Sequence, residues 1–192
     1  MYRKDMTPEI VDSFIQEFNL NGPKLTLDDV SARIHISKKT IYRFFASKNA
    51  IYEYIIDAVV SMIREHRKAI FDDASLSTKE KFYAVLAYRT PWEEKIDLSK
   101  IPSIKYDSPE VFAKILGAFQ DSFVCIAELI EQGKKEGTFK PDLNSGFTLR
   151  LLRAAKMSLL QTDTLKESGL TYAEATCRLA EFALAGVTNN AA

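Results

Sequence analysis

Five basic side chains lie close together in the chain, at spacings that would let them bind a phosphate-bearing partner. The run from Val30 to Tyr52 that contains them has no aspartate or glutamate. The basic residues of this run are Arg33, Lys38, Lys39, Arg43 and Lys48. A compact segment with charge of one sign attracts a phosphate backbone. The alternative interpretation is a solvated, lysine-rich helical hairpin that binds nothing.

Helix signals in the same region indicate how these side chains are positioned. The stretch from Leu25 to Tyr54 predicts two short helices, a tight turn between them and a longer helix after them. Thr26 and Asp29 have the spacing of a capping box, so the first helix begins there. Ser37 is placed to cap the second helix, which is predicted to run through Phe44 with its basic side chains outward. Because charge, caps and spacing agree, double-stranded DNA is the partner to consider first.

Lys48 has an unusual position for a cation. It falls in the first turn of the third helix, which Ser47 is placed to cap. A positive charge there opposes the helix dipole, so another group must stabilise it. A phosphate is the predicted partner.

The region also resembles the helix-turn-helix signature of the TetR family of bacterial transcriptional regulators. The resemblance covers residues 10–56 and rests on the types and spacing of Gly22, Thr26, Asp29, Val30, Ser37, Lys38, Thr40, Tyr42, Phe45, Ser47 and Lys48. Three positions depart from the family pattern. His35 stands at a turn position where glycine is common, although histidine tolerates a positive φ better than most residues. Lys39 replaces a frequent glycine, and Pro23 replaces a usual aromatic residue.

The resemblance implies a role for each polar side chain of the motif. Helix-turn-helix proteins lay the second helix in the major groove of DNA. Lys38, Lys39 and Arg43 are then expected to contact bases, Arg43 through a bidentate contact with guanine. Phosphate contacts, which orient the protein without specifying sequence, are expected from Thr26, Ser37, Thr40, Tyr42 and Lys48. Tyr42 could instead support its helix as a half-buried aromatic residue.

Composition limits the remaining function classes. The chain has 192 residues, 46% of them hydrophobic, and no net charge, so its basic character is local. Cys125 and Cys177 are too few for a metal cluster or a disulfide framework, so we expect free thiols, of undecided redox role, and neither a metal nor a cofactor. No apolar run reaches membrane-spanning length, and the N-terminus does not resemble a secretory signal. A cytoplasmic protein without a membrane partner is expected.

The pattern of the whole chain predicts an all-α fold. Apolar residues recur at helical spacing almost throughout, without convincing strand alternation. We expect a three-helix helix-turn-helix DNA-binding domain over residues 1–47 and a helical-bundle domain for ligand binding and dimerisation over residues 48–192. Thr7 is predicted to cap the first helix. The later helices are predicted at Lys48 to Phe71, Ser77 to Tyr88, Ser108 to Gly133–Gly137 with any bend near Gly117, Ser145 to Leu160, and Tyr172 to Ala185.

Aromatic residues are concentrated in the middle of the chain, where a bundle needs them for its core. A stretch broken by prolines around Trp92 nevertheless leaves room between helices, and apolar concavities of this kind usually bind ligands. The TetR resemblance implies an inducer pocket in this region. A small, mainly apolar effector is predicted to contact some of Met62, Tyr83, Tyr88, Trp92, Phe119 and Phe123.

The last two helices carry broad apolar stripes that one bundle would bury only in part. Ordinary core within one chain is the alternative, but a two-fold homodimer would bury the rest. The residues expected at this interface are Phe147, Leu151, Ala155, Ser158, Leu159, Tyr172, Leu179 and Phe182.

These expectations combine into one function. The chain is predicted to be a sequence-specific DNA-binding regulator that dimerises on a pseudo-palindromic operator and represses until an effector moves the DNA-binding heads. The alternative is an adaptor that uses the same fold to bind a protein partner. An enzyme is not expected, because His35 and His66 are the only histidines and no nucleophile elbow, carboxylate cluster or phosphate loop accompanies them.

Overall fold

A computed structural model of the chain describes residues 5–121, 123–160 and 162–189. The regular elements in these ranges are all helical, which confirms the predicted all-α class. A lone antiparallel bridge joins Phe139 and Thr188. The α-helices are α1 (Thr7–Asn21), α2 (Leu27–Arg33), α3 (Lys38–Ile41), α4 (Lys48–Asp72), α5 (Thr78–Ala87), α6 (Pro91–Lys95), α7 (Ile104–Asp107), α8 (Pro109–Asp121), α9 (Val124–Lys135), α10 (Ser145–Ser158), α11 (Thr162–Ser168) and α12 (Tyr172–Val187). Two short 3₁₀ helices, Gly22–Lys24 and Leu98–Ser103, complete these elements.

The first compact unit comprises Met1–Val59 and Pro91–Leu116. Its core is centred on α1, which buries Ile10 and Phe14 almost completely. The later segment contributes Ile104 and Val111 to the same core. Thus the helix-turn-helix region packs with a segment that lies far along the chain.

The second compact unit comprises Val60–Thr90 and Gly117–Ala192. In it, α5 packs against α9 and α12. The rings of Phe82 and Phe139 meet edge to face at a centroid distance of 5.4 Å and are fully buried. This aromatic pair is the centre of the second core.

Side-chain caps place several helix starts where the sequence predicts them. The predicted capping box of Thr26 and Asp29 is formed and opens α2, and capping boxes also open α5 and α12. Ser37 caps α3 as expected. These caps involve residues three positions apart, so neighbouring sequence is sufficient to specify them.

Three expectations about helices are wrong. Thr7 is the first residue of α1 rather than its cap: Met6 has the cap position, and the N–H of Thr7 donates to the Asp5 carboxylate at 2.9 Å. Helix α3 ends at Ile41, and residues 42–44 form turns. The long helix expected after Ser108 is divided into α8 and α9 near Phe123, whose φ of −101° and ψ of −6° depart from regular helical values and whose ring is buried. The break lies next to this buried ring and not at Gly117. Helix α11 is an additional element that the sequence did not predict.

Candidate nucleic-acid interface

The turn between α2 and α3 depends on a left-handed residue. His35 has a φ of 54°, a conformation that costs a non-glycine residue about 1 kcal/mol or more. Around it, the N–H of Ile36 donates to the carbonyl of Ser31 at 3.0 Å. Buried Ser13 on α1 donates its hydroxyl to the carbonyl of Val30 at 3.1 Å. The first bond closes the turn that follows α2, and the second holds α2 against α1.

Helix α3 has one buried face and one exposed face. Ile41 is completely buried and Phe45, just beyond the helix, is 6% exposed. Lys39, Tyr42 and Arg43 are exposed, with Tyr42 at 51%. The predicted division between inward apolar and outward basic side chains is therefore confirmed.

Predicted phosphate contacts lie at the starts of three helices. Thr26 begins α2, where its hydroxyl donates to Asp29 at 2.7 Å and accepts from the Asp29 N–H at 3.2 Å. Hydrogen bonds from Thr26 hold the pKa of the Asp29 carboxyl below its usual value. Ser37 begins α3, and its hydroxyl lies 2.9 Å from that of Thr40. Lys48 begins α4.

The cations of the motif differ in their surroundings. Lys38 forms an ion pair with Asp28 of α2 at 2.9 Å, and this hydrogen bond raises the pKa of the Lys38 ammonium. Arg33 pairs at 2.6 Å with the nearly buried carboxylate of Glu17, so it stabilises the packing of α2 on α1. Among the residues that the structure describes, Lys39 and Arg43 form no ion pair. Among the five basic residues of the motif, they are therefore the best placed to meet an external anion.

Lys48 has two partners within its own unit. Its ammonium lies 2.6 Å from the Asp107 carboxylate at the end of α7 and 2.8 Å from the carbonyl of Pro23. The expected phosphate contact of Lys48 stays a prediction. No local sequence signal indicated the Asp107 contact, because the two residues are 59 positions apart.

The six residues predicted to contact an effector do not share one core. Trp92 packs against the core of the first unit. Phe119 and Phe123 meet in the second unit at a centroid distance of 5.2 Å, and Tyr83 packs against that core. Tyr88 stacks on His66 at 3.6 Å in the same unit, where Met62 is half-buried. Contact with an effector stays a prediction for all six.

A polar group in the second unit was not anticipated from the sequence. Arg89 donates from Nη1 to the carbonyl of Ala173 at 2.9 Å and to the sulfur of Cys177 at 3.6 Å. Burial, followed by the hydrogen bond with Cys177, raises the pKa of Tyr83. Within the described ranges neither Cys125 nor Cys177 forms a disulfide bond, and burial raises the pKa of the Cys125 thiol. Within the described ranges, no group of acidic, histidine and cysteine side chains could hold a metal ion.

Several residues of the predicted dimer surface are exposed on α10 and α12. Phe147 is 60% exposed, Leu151 55% and Phe182 79%. The other five predicted interface residues, which are half-buried, are Ala155, Ser158, Leu159, Tyr172 and Leu179.

None of the helices in the described ranges has the length and hydropathy needed to span a membrane.

Comparison with known proteins finds a family match for the helix-turn-helix region. Residues 10–55 match the family model described as bacterial regulatory proteins, tetR family. The uncharacterized HTH-type transcriptional regulator YvaF of Bacillus subtilis (strain 168) is 19% identical over 125 residues. That match covers 64% of this chain and 66% of YvaF, just under two thirds of the relative's length.

Two solved structures share the fold. One is the transcriptional regulator FadR from Bacillus subtilis in complex with stearoyl-CoA, which has a TM-score of 0.70 and 14% identity, with 94% of this chain and 98% of FadR covered. The other, a regulator from Saccharomonospora viridis in complex with choline, has a TM-score of 0.72 and 16% identity, with 98% and 100% covered. Residues 10–55 thus match the tetR family of bacterial regulatory proteins, and the capped helices and exposed basic face of this region are consistent with that match.

Proposed function

We propose that this protein is a ligand-responsive, sequence-specific DNA-binding repressor that acts in the cytoplasm. A small, mainly apolar effector releases it from its operator. In this proposal residues 1–47 bind DNA and residues 48–192 bind the effector and a second copy of the chain. The activity is binding, not catalysis.

One observation carries the DNA part of the proposal. Helix α3 and the turn that follows it expose Lys39 and Arg43, respectively, while Ile41 between them is buried. An arginine that projects from a short helix can make a bidentate contact with guanine in the major groove. Hydroxyls and amides at the starts of α2, α3 and α4 supply phosphate contacts around it.

The effector part of the proposal rests on the second unit. Its aromatic residues Tyr83, Phe119 and Phe123 lie in or against one apolar core. The ligands named for the two solved relatives, stearoyl-CoA and choline, differ widely in size and polarity. The aromatic character of this chain's own residues therefore decides the proposed class, a mainly apolar molecule.

A homodimer is the third part of the proposal. Exposed Phe147, Leu151 and Phe182 on the last helices would be covered by the same surface of a second copy. Two heads can then contact half-sites about one turn of DNA apart. Effector binding needs only a differential affinity of about 1–3 kcal/mol between the two states to release the operator.

Selection from a pool of random and genomic duplex DNA tests the proposal directly. We expect enrichment of a pseudo-palindromic sequence whose binding weakens steeply as salt rises. A library of small apolar compounds is then screened for loss of this binding. Recovery of no sequence, together with salt-insensitive capture of a protein partner, would support the adaptor and reject the repressor.

A further inference from the structure

The ammonium of Lys48 is enclosed at the start of α4. Ser47 caps this helix by accepting the N–H of Ala50 at 3.1 Å. The Lys48 side chain is 24% exposed and its nitrogen touches the Asp107 carboxylate and the Pro23 carbonyl. Asp107 thus supplies the negative charge that a cation at a helix N-terminus requires.

Asp107 is held in position by its neighbours. Its Oδ2 accepts a hydrogen bond from the Ser108 hydroxyl at 3.2 Å. The same hydroxyl proton is shared with the Asn49 side-chain oxygen, the nearer acceptor at 2.9 Å, and Asn49 in turn donates to Glu110 at 2.6 Å. The carboxylate therefore does not depend on Lys48 alone for its location.

The segment that carries Asp107 is also anchored to the end of α1. Asn19 donates to the carbonyl of Lys95 at 2.7 Å and accepts from the N–H of Asp97 at 2.7 Å. Lys100 donates to the carbonyl of Leu20 at 3.0 Å. A segment outside the matched family region is thus fixed on the DNA-binding head.

We propose that Asp107 is an affinity-determining residue that competes with DNA phosphate for Lys48. This inference rests on the proposed function, because it concerns the same DNA-binding surface. The Asp107 carboxylate is 34% exposed, so an approaching phosphate meets a like charge beside Lys48. Binding of the phosphate by Lys48 must replace an existing ion pair instead of neutralising a free cation. DNA binding by this protein therefore releases fewer counterions from the DNA than the number of basic residues alone predicts.

The structure separates this competition from a purely structural clamp. If Asp107 becomes Asn, Lys48 keeps its bond to Pro23 and Ser108 keeps its bond to Asn49. The ammonium then remains in place but loses its carboxylate. If Asp107 competes with phosphate, this substitution should strengthen DNA binding. If Asp107 instead holds Lys48 in a position that DNA binding requires, the substitution should weaken it.

The experiment measures binding of the full chain to labelled duplex DNA of random sequence, about 30 base pairs long, across a series of salt concentrations. Asp107→Asn is expected to tighten binding roughly fivefold, the upper range for one partly exposed ion pair, and to steepen the salt dependence by about 0.9 in log–log slope. Asp107→Glu, which keeps the charge, is expected to bind like the original protein. Asp12→Asn is the matched control, because Asp12 pairs with Lys95 in the same unit and its loss changes the net charge equally.

A double-mutant cycle assigns the effect to Lys48. In a Lys48→Met background, Asp107→Asn is expected to increase the affinity for DNA no more than Asp12→Asn does. Thermal unfolding of each variant shows that the compared proteins are folded. Equal effects of Asp107→Asn and Asp12→Asn, or weaker DNA binding by a folded Asp107→Asn, would overturn the inference while the proposed function stands. If the original protein binds no DNA, the proposed function and the inference both fail.

Discussion

Lys38 and Asp28 form an ion pair across the helix-turn-helix, with Nζ of Lys38 2.9 Å from Oδ2 of Asp28. Lys38 lies in the first turn of α3, and Asp28 lies in the first turn of α2. The pair lowers the net charge that Lys38 presents to DNA. Arg43, in contrast, forms no ion pair with any residue in the described ranges and is exposed. The two cations should therefore differ in their value to DNA recognition.

Arg43→Ala should relax sequence specificity more than Lys38→Ala. Loss of a bidentate guanine contact costs about 1–3 kcal/mol of discrimination. Lys38→Ala should cost less, because Asp28 already satisfies this ammonium in the free protein. The measurement compares affinities for the selected operator and for a scrambled duplex at one salt concentration.

Lys68→Ala is the control for these two variants, since Lys68 pairs with Asp72 on the second-unit part of α4. It should leave the operator-to-scramble ratio unchanged. An Arg43→Ala protein with an unaltered ratio would contradict base contact by Arg43.

Gly133→Ala should destabilise the protein. A Cβ added to Gly133 would overlap the buried ring of Phe139. The backbone N–H of Phe139 also donates to the Gly133 carbonyl at 2.9 Å, so the two residues are held close together. Overpacking of this kind costs about 1–3 kcal/mol. Urea unfolding gives the free-energy change.

Gly117→Ala provides the opposite sign within the same experiment. Gly117 lies in α8, where an added Cβ would meet no atom within 4 Å. An alanine at an open helical position should stabilise by about 0.5–1 kcal/mol relative to glycine. Two variants with the same sign of change would show that ring overlap is not the cause.

Stability should fall in acid partly because of the α12 capping box. The backbone N–H of Thr171 at 2.9 Å, and then its hydroxyl at 2.8 Å, lower the pKa of the Glu174 carboxyl from its ordinary value of 4.5. A carboxyl whose pKa is lower in the folded state adds stability above 4.5, and this contribution disappears as pH falls through the lower folded value. Glu174→Gln should therefore lose less stability than the original protein between about pH 5 and pH 3.

Urea unfolding at several pH values measures this difference. The two proteins should differ at neutral pH and converge in acid, because protonated glutamate resembles glutamine in charge. Parallel pH profiles would mean that the capping carboxylate does not contribute to the pH dependence.

Phe182→Glu should convert a dimer to a monomer. Phe182 is 79% exposed on α12 and is one of the residues of the proposed interface. A carboxylate that must be buried between two copies is strongly unfavourable. Sedimentation velocity at several protein concentrations reports the change, with Tyr106→Glu as the control because Tyr106 is 82% exposed in the first unit. A Phe182→Glu protein that sediments as the original does would remove α12 from the proposed interface.

Local signals account for the elements that were predicted well. The capping boxes at Thr26, Ser77 and Thr171 join residues only three positions apart, so a short stretch of sequence is sufficient to predict these helix starts. The inward position of Ile41 and the outward position of Arg43 follow from helical periodicity. The TetR resemblance was likewise contained in one contiguous stretch.

Other features depend on contacts that no short window contains. The division between α8 and α9 accompanies burial of Phe123, and Trp92 packs with the first core instead of with the other predicted effector residues. The polar contacts among Tyr83, Arg89 and Cys177 likewise join distant parts of the second unit. Helical periodicity indicates that a side chain points inward, but it does not indicate which other segment of the chain that side chain contacts.

The sequence by itself determined an all-helical chain with a capped helix-turn-helix and a basic run, because hydrogen bonds and side-chain spacing within one or two turns specify these features. It also showed that a cation at the start of α4 needs a negative partner. Only the tertiary structure decided that the partner within the chain is Asp107, since the choice of a carboxylate 59 residues away depends on where the chain returns in space. Long-range packing makes that choice, and it leaves no periodic trace in the sequence around Lys48.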